Sequence, residues 1–318
     1  MEQHIPVALD RCLSLLATPI EESLASKGEA VLIDATLGLG GHSFALAQRY
    51  SHLRIIGIDR DQTALAIAKE RLSQFGDRIY FAYGVFDTIS TILSDLGIQE
   101  VDGVLFDLGV SSMQLDKAER GFSYSVNAPL DMRMDQSSGV TAQDVLNTYD
   151  RDELIRVLRS FGEERFAARI VGHILEARSK GELTTTEQLS ELVKKGVPAP
   201  ARRTGGNPAK RTFQALRIEV NKELAALERA LPQALYSIRV GGRVVVMSYQ
   251  SLEDKIVKRQ FESMTSSGTP RGLPMEIPGT APKFELVFRG SEGASEEEIA
   301  SNPRAASMRL RAIQKVAA

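Results

Sequence analysis

Residues 31–42 read Val31-Leu32-Ile33-Asp34-Ala35-Thr36-Leu37-Gly38-Leu39-Gly40-Gly41-His42. A short apolar run ending in three closely spaced glycines is the pattern of a buried parallel strand entering a tight turn. Glycine supplies positive φ and lets a ligand approach bare backbone. Ser43-Phe44-Ala45-Leu46-Ala47 then opens a helix, so its first N–H groups face whatever occupies the turn. A second strand, Leu53–Asp59, ends in an acid. In a nucleotide-binding βαβ unit an acid there takes the ribose hydroxyls. An adenosine-bearing cofactor is the first expectation. An ordinary strand–turn–helix of an α/β core is the plainer alternative.

The dinucleotide fingerprint asks for Gly-x-Gly-x-x-Gly. Gly38 and Gly40 fit it, but Ser43 holds the third place. That glycine normally allows close helix–strand packing around a pyrophosphate. Asp34 is also a poor neighbour for a pyrophosphate of its own sign. Opposite charges attract, so it suits the amine or sulfonium of S-adenosylmethionine. The residues favour a methyl donor over a hydride carrier.

With 318 residues and 43% hydrophobic content, the chain has room for one large or two modest globular domains. It contains no apolar run long enough to span a bilayer, so no membrane role is expected. Met1–Pro6 lacks the basic and apolar regions of a signal peptide. Cys12, the single cysteine, fits a reducing cytoplasm. His4, His42, His52 and His173 are scattered, and with one cysteine they make no zinc spacing, so no metal is expected. A net charge of −2 leaves any nucleic-acid contact to local patches.

Along the chain, residues 5–27 read as a helix interrupted at Pro19 and stopped by Lys27-Gly28. Asp61 caps a helix over Gln62–Phe75, and Arg78–Gly84 is a third strand. Phe86 follows that strand's carboxyl end, where it could lie against an adenine ring; plain packing is the alternative. A fourth strand ends in Asp107. Strands alternating with helices make a doubly wound α/β sheet. The rhythm then breaks. Residues 116–140 are polar and glycine-rich, and helices follow at Ala142–Thr148, Asp152–Ser160, Glu163–Arg178 and Thr186–Lys195. Val197–Pro208 is a loop by composition. One long helix is expected over Arg211–Ser237, kinked or ended by Pro232. Gly241-Gly242 turns into a fifth strand, Arg243–Tyr249. Strands at Phe284–Arg289 and around Ser307–Ile313 close the chain, with an exposed acidic segment at 291–301.

Between Leu192 and Ile218 lie Lys194, Lys195, Arg202, Arg203, Lys210, Arg211 and Arg217, without one Asp or Glu. Arg304, Arg309, Arg311 and Lys315 repeat the pattern in the tail. A basic loop broken by Gly and Pro suggests a phosphate-backbone contact, a solvated surface being the bland reading.

Several blocks together resemble one family. They are Asp34–His42, Gly57–Asp61, Asp107–Leu115, Arg120–Ser123, Pro129–Asp135, Gly162–Ala167, Arg211–Ile218 and Ser251–Arg259. In order and over nearly the whole chain, these are similar to the bacterial RsmH (MraW) family, which methylates the exocyclic N4 of a cytidine in small-subunit (16S) ribosomal RNA. The resemblance implies an α/β fold: a class I methyltransferase, Rossmann-like, doubly wound sheet with an inserted helical domain. Its core then occupies 1–115 and 208–318, with a substrate-recognising insertion at 116–207. It implies S-adenosylmethionine as cofactor and ribosomal RNA, within the small subunit, as partner. Gly40, Gly41 and His42 match the family's cofactor loop, Asp59 the ribose acid, and Phe86, Asp107 and Gln114 further cofactor contacts. Lys210, Arg211 and Arg217 stand as the RNA-binding candidates. Tyr249-Gln250 replaces the Phe-His often found before Ser-Leu-Glu-Asp in the family.

Methyl transfer from a sulfonium is an in-line displacement, in which the protein supplies alignment and charge. Attack at cytosine C5 needs a cysteine at a strand tip, and Cys12 lies in the N-terminal helix. The N4 lone pair is delocalised into the ring, so acceptors that hold its N–H bonds help it react. Asp107 is the best catalytic candidate, although the family match gives it to the cofactor. Three rivals remain: a nicotinamide dehydrogenase, a non-catalytic ribosome-assembly protein, and a methyltransferase of small molecules or proteins. Asp131 and Asp135 read as loop architecture around Arg133.

Overall fold

The computed structural model describes residues 6–202, 207–268 and 279–318. Helix α1 (Leu9–Lys27) is closed by Gly28, which takes φ 79° and donates its N–H to the Leu24 carbonyl. Pro19 sits inside α1 and does not interrupt it. A proline cannot bond the carbonyl four residues back. Here that carbonyl, Leu15 O, accepts instead from Arg243 Nη1 at 2.8 Å. Strand β1 (Ala30–Asp34) leads to α2 (Gly41–Arg49), and β2 (Leu53–Asp59) to α3 (Gln62–Leu72). Asp61 caps α3 by accepting from the N–H groups of Thr63 and Ala64. β3 (Ile79–Tyr83), α4 (Ile89–Asp95) and β4 (Val101–Asp107) continue the alternation.

The chain returns to the sheet through α12 (Glu223–Ser237) and β5 (Ile238–Ser248), after the helices introduced below. Helix α13 (Ser251–Met264), the short β6 (Phe284–Leu286), α14 (Glu296–Ser301) and β7 (Arg309–Lys315) complete it. β5 starts ahead of the Gly241-Gly242 pair, not after it. Val101 lies opposite Ile238 while Gly103 lies opposite Arg243, so the glycines form an irregularity within the strand, Gly241 at φ 86°.

The strand order is β3-β2-β1-β4-β5-β7-β6. β3 to β5 are parallel, and β7 runs antiparallel to both neighbours. One face packs Leu32, Ile55, Leu105 and Val245 against α1, α2 and α3. The other packs Ile33, Ile56, Val104 and Val246 against α4, α12 and α13. Both faces being covered explains the unbroken apolar runs of the central strands.

The chain divides into two compact units, one of residues up to Gly109 with Leu224–Ala318, the other Val110–Glu223. The second unit is helical: α5 (Ser112–Asp116), α6 (Ala142–Thr148), α7 (Arg151–Gly162), α8 (Ala167–Arg178), α9 (Thr186–Gly196), α10 (Ala199–Arg202) and α11 (Ala209–Asn221). The boundaries expected at 115/116 and 207/208 therefore fall at 109/110 and 223/224. The reason is α11, whose Ala209, Phe213 and Leu216 are buried with Leu154, Leu158, Ile170 and Val193 in the helical core. The single helix expected over Arg211–Ser237 breaks at Lys222, which adopts φ 53°, while Pro232 lies inside α12. Asn221 fixes the break. Its Oδ1 accepts from the Met134 N–H at 2.7 Å and its Nδ2 donates to the Met132 carbonyl at 2.8 Å. α8 likewise starts at Ala167 and not at Glu163, because Glu163 takes φ 48° and closes α7. No helix among the described residues is long and apolar enough to cross a membrane.

Candidate active site

Side chains alternate along a strand. Asp34 and Asp107 each follow by two a leucine of the α1–α3 face, Leu32 and Leu105. Asp59 follows by two Gly57, whose missing side chain makes room for Leu37 of the same face. The three acids thus end β1, β4 and β2 on one side of the sheet, at the carboxyl ends where open α/β sheets bind ligands.

Asp59 is bound from two directions. Gly38 N–H donates to Oδ2 at 2.7 Å, and Asp61 N–H to Oδ1 at 2.8 Å. Burial pushes its carboxyl up to about 6 despite those two donors. Gly38 has φ 52°, and a Cβ there would meet nothing nearer than Thr36 O at 3.9 Å, so the turn is open above it. The two glycines singled out in the sequence make room for protein. A Cβ at Gly40 would fall 2.9 Å from Leu72, and one at Gly41 2.4 Å from Pro6.

Asp34 lies beneath the turn and is 2% exposed. Its Oδ2 accepts from Ser43 Oγ at 2.6 Å and its Oδ1 from Thr36 N–H at 3.3 Å. Burial raises its carboxyl above the usual range, with the Ser43 bond working against the rise and the Asp107 charge adding to it. The serine that stands in the third glycine's place is thus the strap that ties the turn to β1. Asp34 closes the loop from beneath, where it is buried.

His42 is also buried, on the first turn of α2. Its Nε2 lies 3.2 Å from the Val7 carbonyl, and a carbonyl only accepts, so Nε2 carries the proton. Its Nδ1 is 3.8 Å from Asp107 Oδ2. Asp107 is more open than Asp34 and His42, its side chain 27% exposed. Its N–H donates to Thr36 Oγ1 at 2.6 Å, and its Oδ1 accepts from Tyr249 Oη at 2.7 Å. Burial, and then the Asp107 charge and hydrogen bond, push the Tyr249 phenol far above its ordinary value. Tyr249 is a residue that the sequence reading placed only as a departure from a motif. Phe86 is half-buried and packs edge-to-face on Phe106, centroids 5.8 Å apart at 83°. Gln114 belongs to the helical unit, where it forms a capping box with Ser111 at the start of α5.

The basic candidates separate. Lys210 and Arg211 are exposed on the first turn of α11, and Arg211 Nη1 donates to the Glu163 carbonyl at 3.0 Å. Arg217 is not a free cation. Its Nε meets Glu223 Oε1 at 2.8 Å with both side chains largely buried, so it holds α11 to the start of α12. In the tail, Arg311 is bidentate to Asp254, at 2.7 and 3.0 Å, and Lys315 Nζ donates to the Ile238 carbonyl at 2.9 Å. Arg203 and His4 lie outside the described residues. Asp131 binds Arg133 through both oxygens, at 2.7 and 3.1 Å, which makes it loop architecture.

An adenosyl sulfonium fits these residues. Asp59 ends β2 beside an open turn, and Asp107 offers a partly exposed carboxylate to a cation. The antiparallel β7 between β5 and β6 sets the sheet apart from the all-parallel dinucleotide fold, and the strap at Ser43 replaces the glycine that a pyrophosphate needs. The fold is that of a class I methyltransferase. Residues 1–316 match the MraW methylase family, and the chain belongs to it. It is 57% identical to ribosomal RNA small subunit methyltransferase H of Mycolicibacterium smegmatis, over 98% of this chain and 84% of that one. The protein of that name from Renibacterium salmoninarum is 53% identical, over 99% and 95%. A solved rRNA methylase from Streptococcus thermophilus aligns over 98% of both chains at 12% identity and TM-score 0.43.

Proposed function

We infer that this chain transfers a methyl group from S-adenosylmethionine to the exocyclic N4 of a cytidine in 16S ribosomal RNA, in the cytoplasm and within the small subunit. The observation that carries the reading is the Asp107 carboxylate, partly exposed at the end of β4 and hydrogen-bonded by Tyr249. When bound, the donor supplies an electrophilic methyl group. The N4 lone pair forms the new N–C bond, the S–C pair stays on sulfur, and nitrogen loses a proton. Asp107 accepts an N–H bond of the amine, which draws its lone pair out of ring conjugation. Asp59 accepts from the ribose hydroxyls, the Gly40-Gly41-His42 turn carries the donor's amino-acid side, and Phe86 contacts the adenosine. Lys210 and Arg211 neutralise RNA phosphates.

The names of the two relatives support the ribosomal substrate. The surroundings of Cys12 support an exocyclic amine over ring carbon C5. Its thiol is fully buried against Met247 Sδ at 3.6 Å, and burial pushes it well above its ordinary range, away from the nucleophilic thiolate. The test is mass spectrometry of digested ribosomal RNA after incubation with the pure protein and labelled donor. Label in N4-methylated cytidine is expected. Label only in methyladenosine, 5-methylcytidine or protein overturns the reading.

A further inference from the structure

We propose that Tyr249 is a positioning residue for methyl transfer, its hydroxyl holding Asp107 in the orientation that the reaction uses. The proposal rests on the reading of Asp107 given above. Tyr249 stands just beyond the end of β5, and the Asp107 carboxylate just inside the end of β4, on adjacent parallel strands. The 2.7 Å bond between them joins residues 142 positions apart.

Tyr249 is itself held at its backbone and at its ring. Its backbone N–H donates to Glu253 Oε2 at 2.9 Å, and Glu253 is buried. Gln250 Nε2 donates to the other oxygen of that carboxylate at 3.0 Å. The tyrosine ring lies over Gly109, where an added Cβ would come 3.4 Å from Cδ2. Gly109 has φ 107°, a backbone conformation that favours glycine there. The Ser-Leu-Glu-Asp stretch at 251–254 is therefore the foundation of the tyrosine, and the tyrosine is the foundation of Asp107. A phenol kept protonated beside a carboxylate is a fixed donor. It occupies one oxygen and fixes the plane of the other, which a carboxylate rotating freely about χ2 lacks.

Among the described residues, the charged and titratable groups that face Asp107 include His42 of α2, Asp34 of β1, Cys12 of α1 and Tyr249. A hydrogen bond to the charged form lowers a carboxyl pKa. Removing the Tyr249 hydroxyl therefore raises that of Asp107 and moves the acid limb of the rate profile to higher pH.

The experiment compares wild type with Tyr249→Phe and Tyr249→Leu. It reads kcat, donor KM, the pH–rate profile and, without turnover, the Asp107 carboxyl titration by carbon NMR. Tyr249→Phe keeps the ring and is expected to lower turnover roughly ten- to a hundredfold, the scale of a lost hydrogen bond to a charged group. A loss confined to kcat places Asp107 on the amine; a rise in donor KM places it on the donor. Either supports positioning, provided the titration moves up. If Tyr249→Phe keeps wild-type turnover, pH limb and titration while Tyr249→Leu is impaired, the residue is packing only and the proposal is overturned. The NMR titration separates this outcome from failure of the functional reading, which the identity of the labelled nucleoside in the wild-type reaction decides.

Discussion

Gly38 donates its backbone N–H to Oδ2 of Asp59 at 2.7 Å, so the turn after β1 and the tip of β2 are one hydrogen-bonded unit. The carboxylate proposed to take the ribose hydroxyls is thus also the latch of the glycine turn. Its carboxyl is lifted to about 6 by burial. Ribose hydroxyls donate best to the ionised form, so donor affinity should rise with pH through about 6 and level off above it. Asp59→Asn should flatten that profile, and Asp59→Ala should weaken binding by about 1–3 kcal/mol at pH 7.5. Calorimetry across pH 5–8 checks both, and an unchanged affinity in Asp59→Ala removes the residue from the site.

The same shift has a consequence for folding. A carboxyl whose folded pKa is raised contributes stability that is complete below the unfolded value, about 3.9, and is lost as pH rises through about 6. Asp59→Asn carries no such group. Its stability relative to wild type should therefore improve as pH rises from about 4 to about 7. Urea midpoints at the two ends of that range measure the difference, and a constant difference contradicts it.

The positions of the first four strands were legible from Val31–His42 onward because buried parallel strands write unbroken apolar runs, and their acids mark where the runs end. The role of the acids was less legible. Asp34 and Asp59 both end apolar runs, yet only the fold shows that Ser43 covers the first. Tyr249 and Asp107 meet only because β4 and β5 are neighbours, which no local pattern encodes. The ion pair of Arg217 was illegible for a different reason. The acid-free interval stops at Ile218, and its partner Glu223 lies just beyond, across a helix break that Lys222 makes at φ 53°. Nothing in that residue type announces a left-handed backbone.

A second buried network sits at the other end of the strands and should affect stability alone. Asp102 accepts from Arg239 Nε at 2.6 Å, from Val31 N–H at 2.7 Å and from the Ser23 hydroxyl. Asp102→Ala leaves the Arg239 guanidinium without that partner, which costs about 3 kcal/mol for a buried pair. Denaturant unfolding should show the loss, while donor affinity of the folded variant stays at the wild-type value. Weakened donor binding in the folded variant would tie this network to the site.

Arg217 and the pair Lys210 and Arg211 give opposite expectations. Arg217→Ala breaks its buried pair with Glu223 and should cost about 3 kcal/mol of stability. Its RNA-binding salt slope, measured below the unfolding transition, should stay at the wild-type value. A reduced slope in that variant returns Arg217 to the RNA contact.

Lys210 and Arg211 lie exposed on the first turn of α11, with no acid in that turn to oppose them. Each phosphate neutralised by a cation releases counterions, and the salt slope counts those contacts. Replacing both by Ala should weaken RNA binding at low salt and reduce the magnitude of the slope by about 2, about 1 for each cation lost. Donor affinity should not change. The Arg211 share is smaller if its guanidinium keeps its bond to the Glu163 carbonyl, so Lys210→Ala alone should carry at least half of the effect. Fluorescence anisotropy with a 16S RNA fragment between 50 and 200 mM salt, about the range over which such contacts are resolved, reads both variants. An unchanged slope makes this helix start a solvated surface and moves the search for the RNA contact to other cations of the chain.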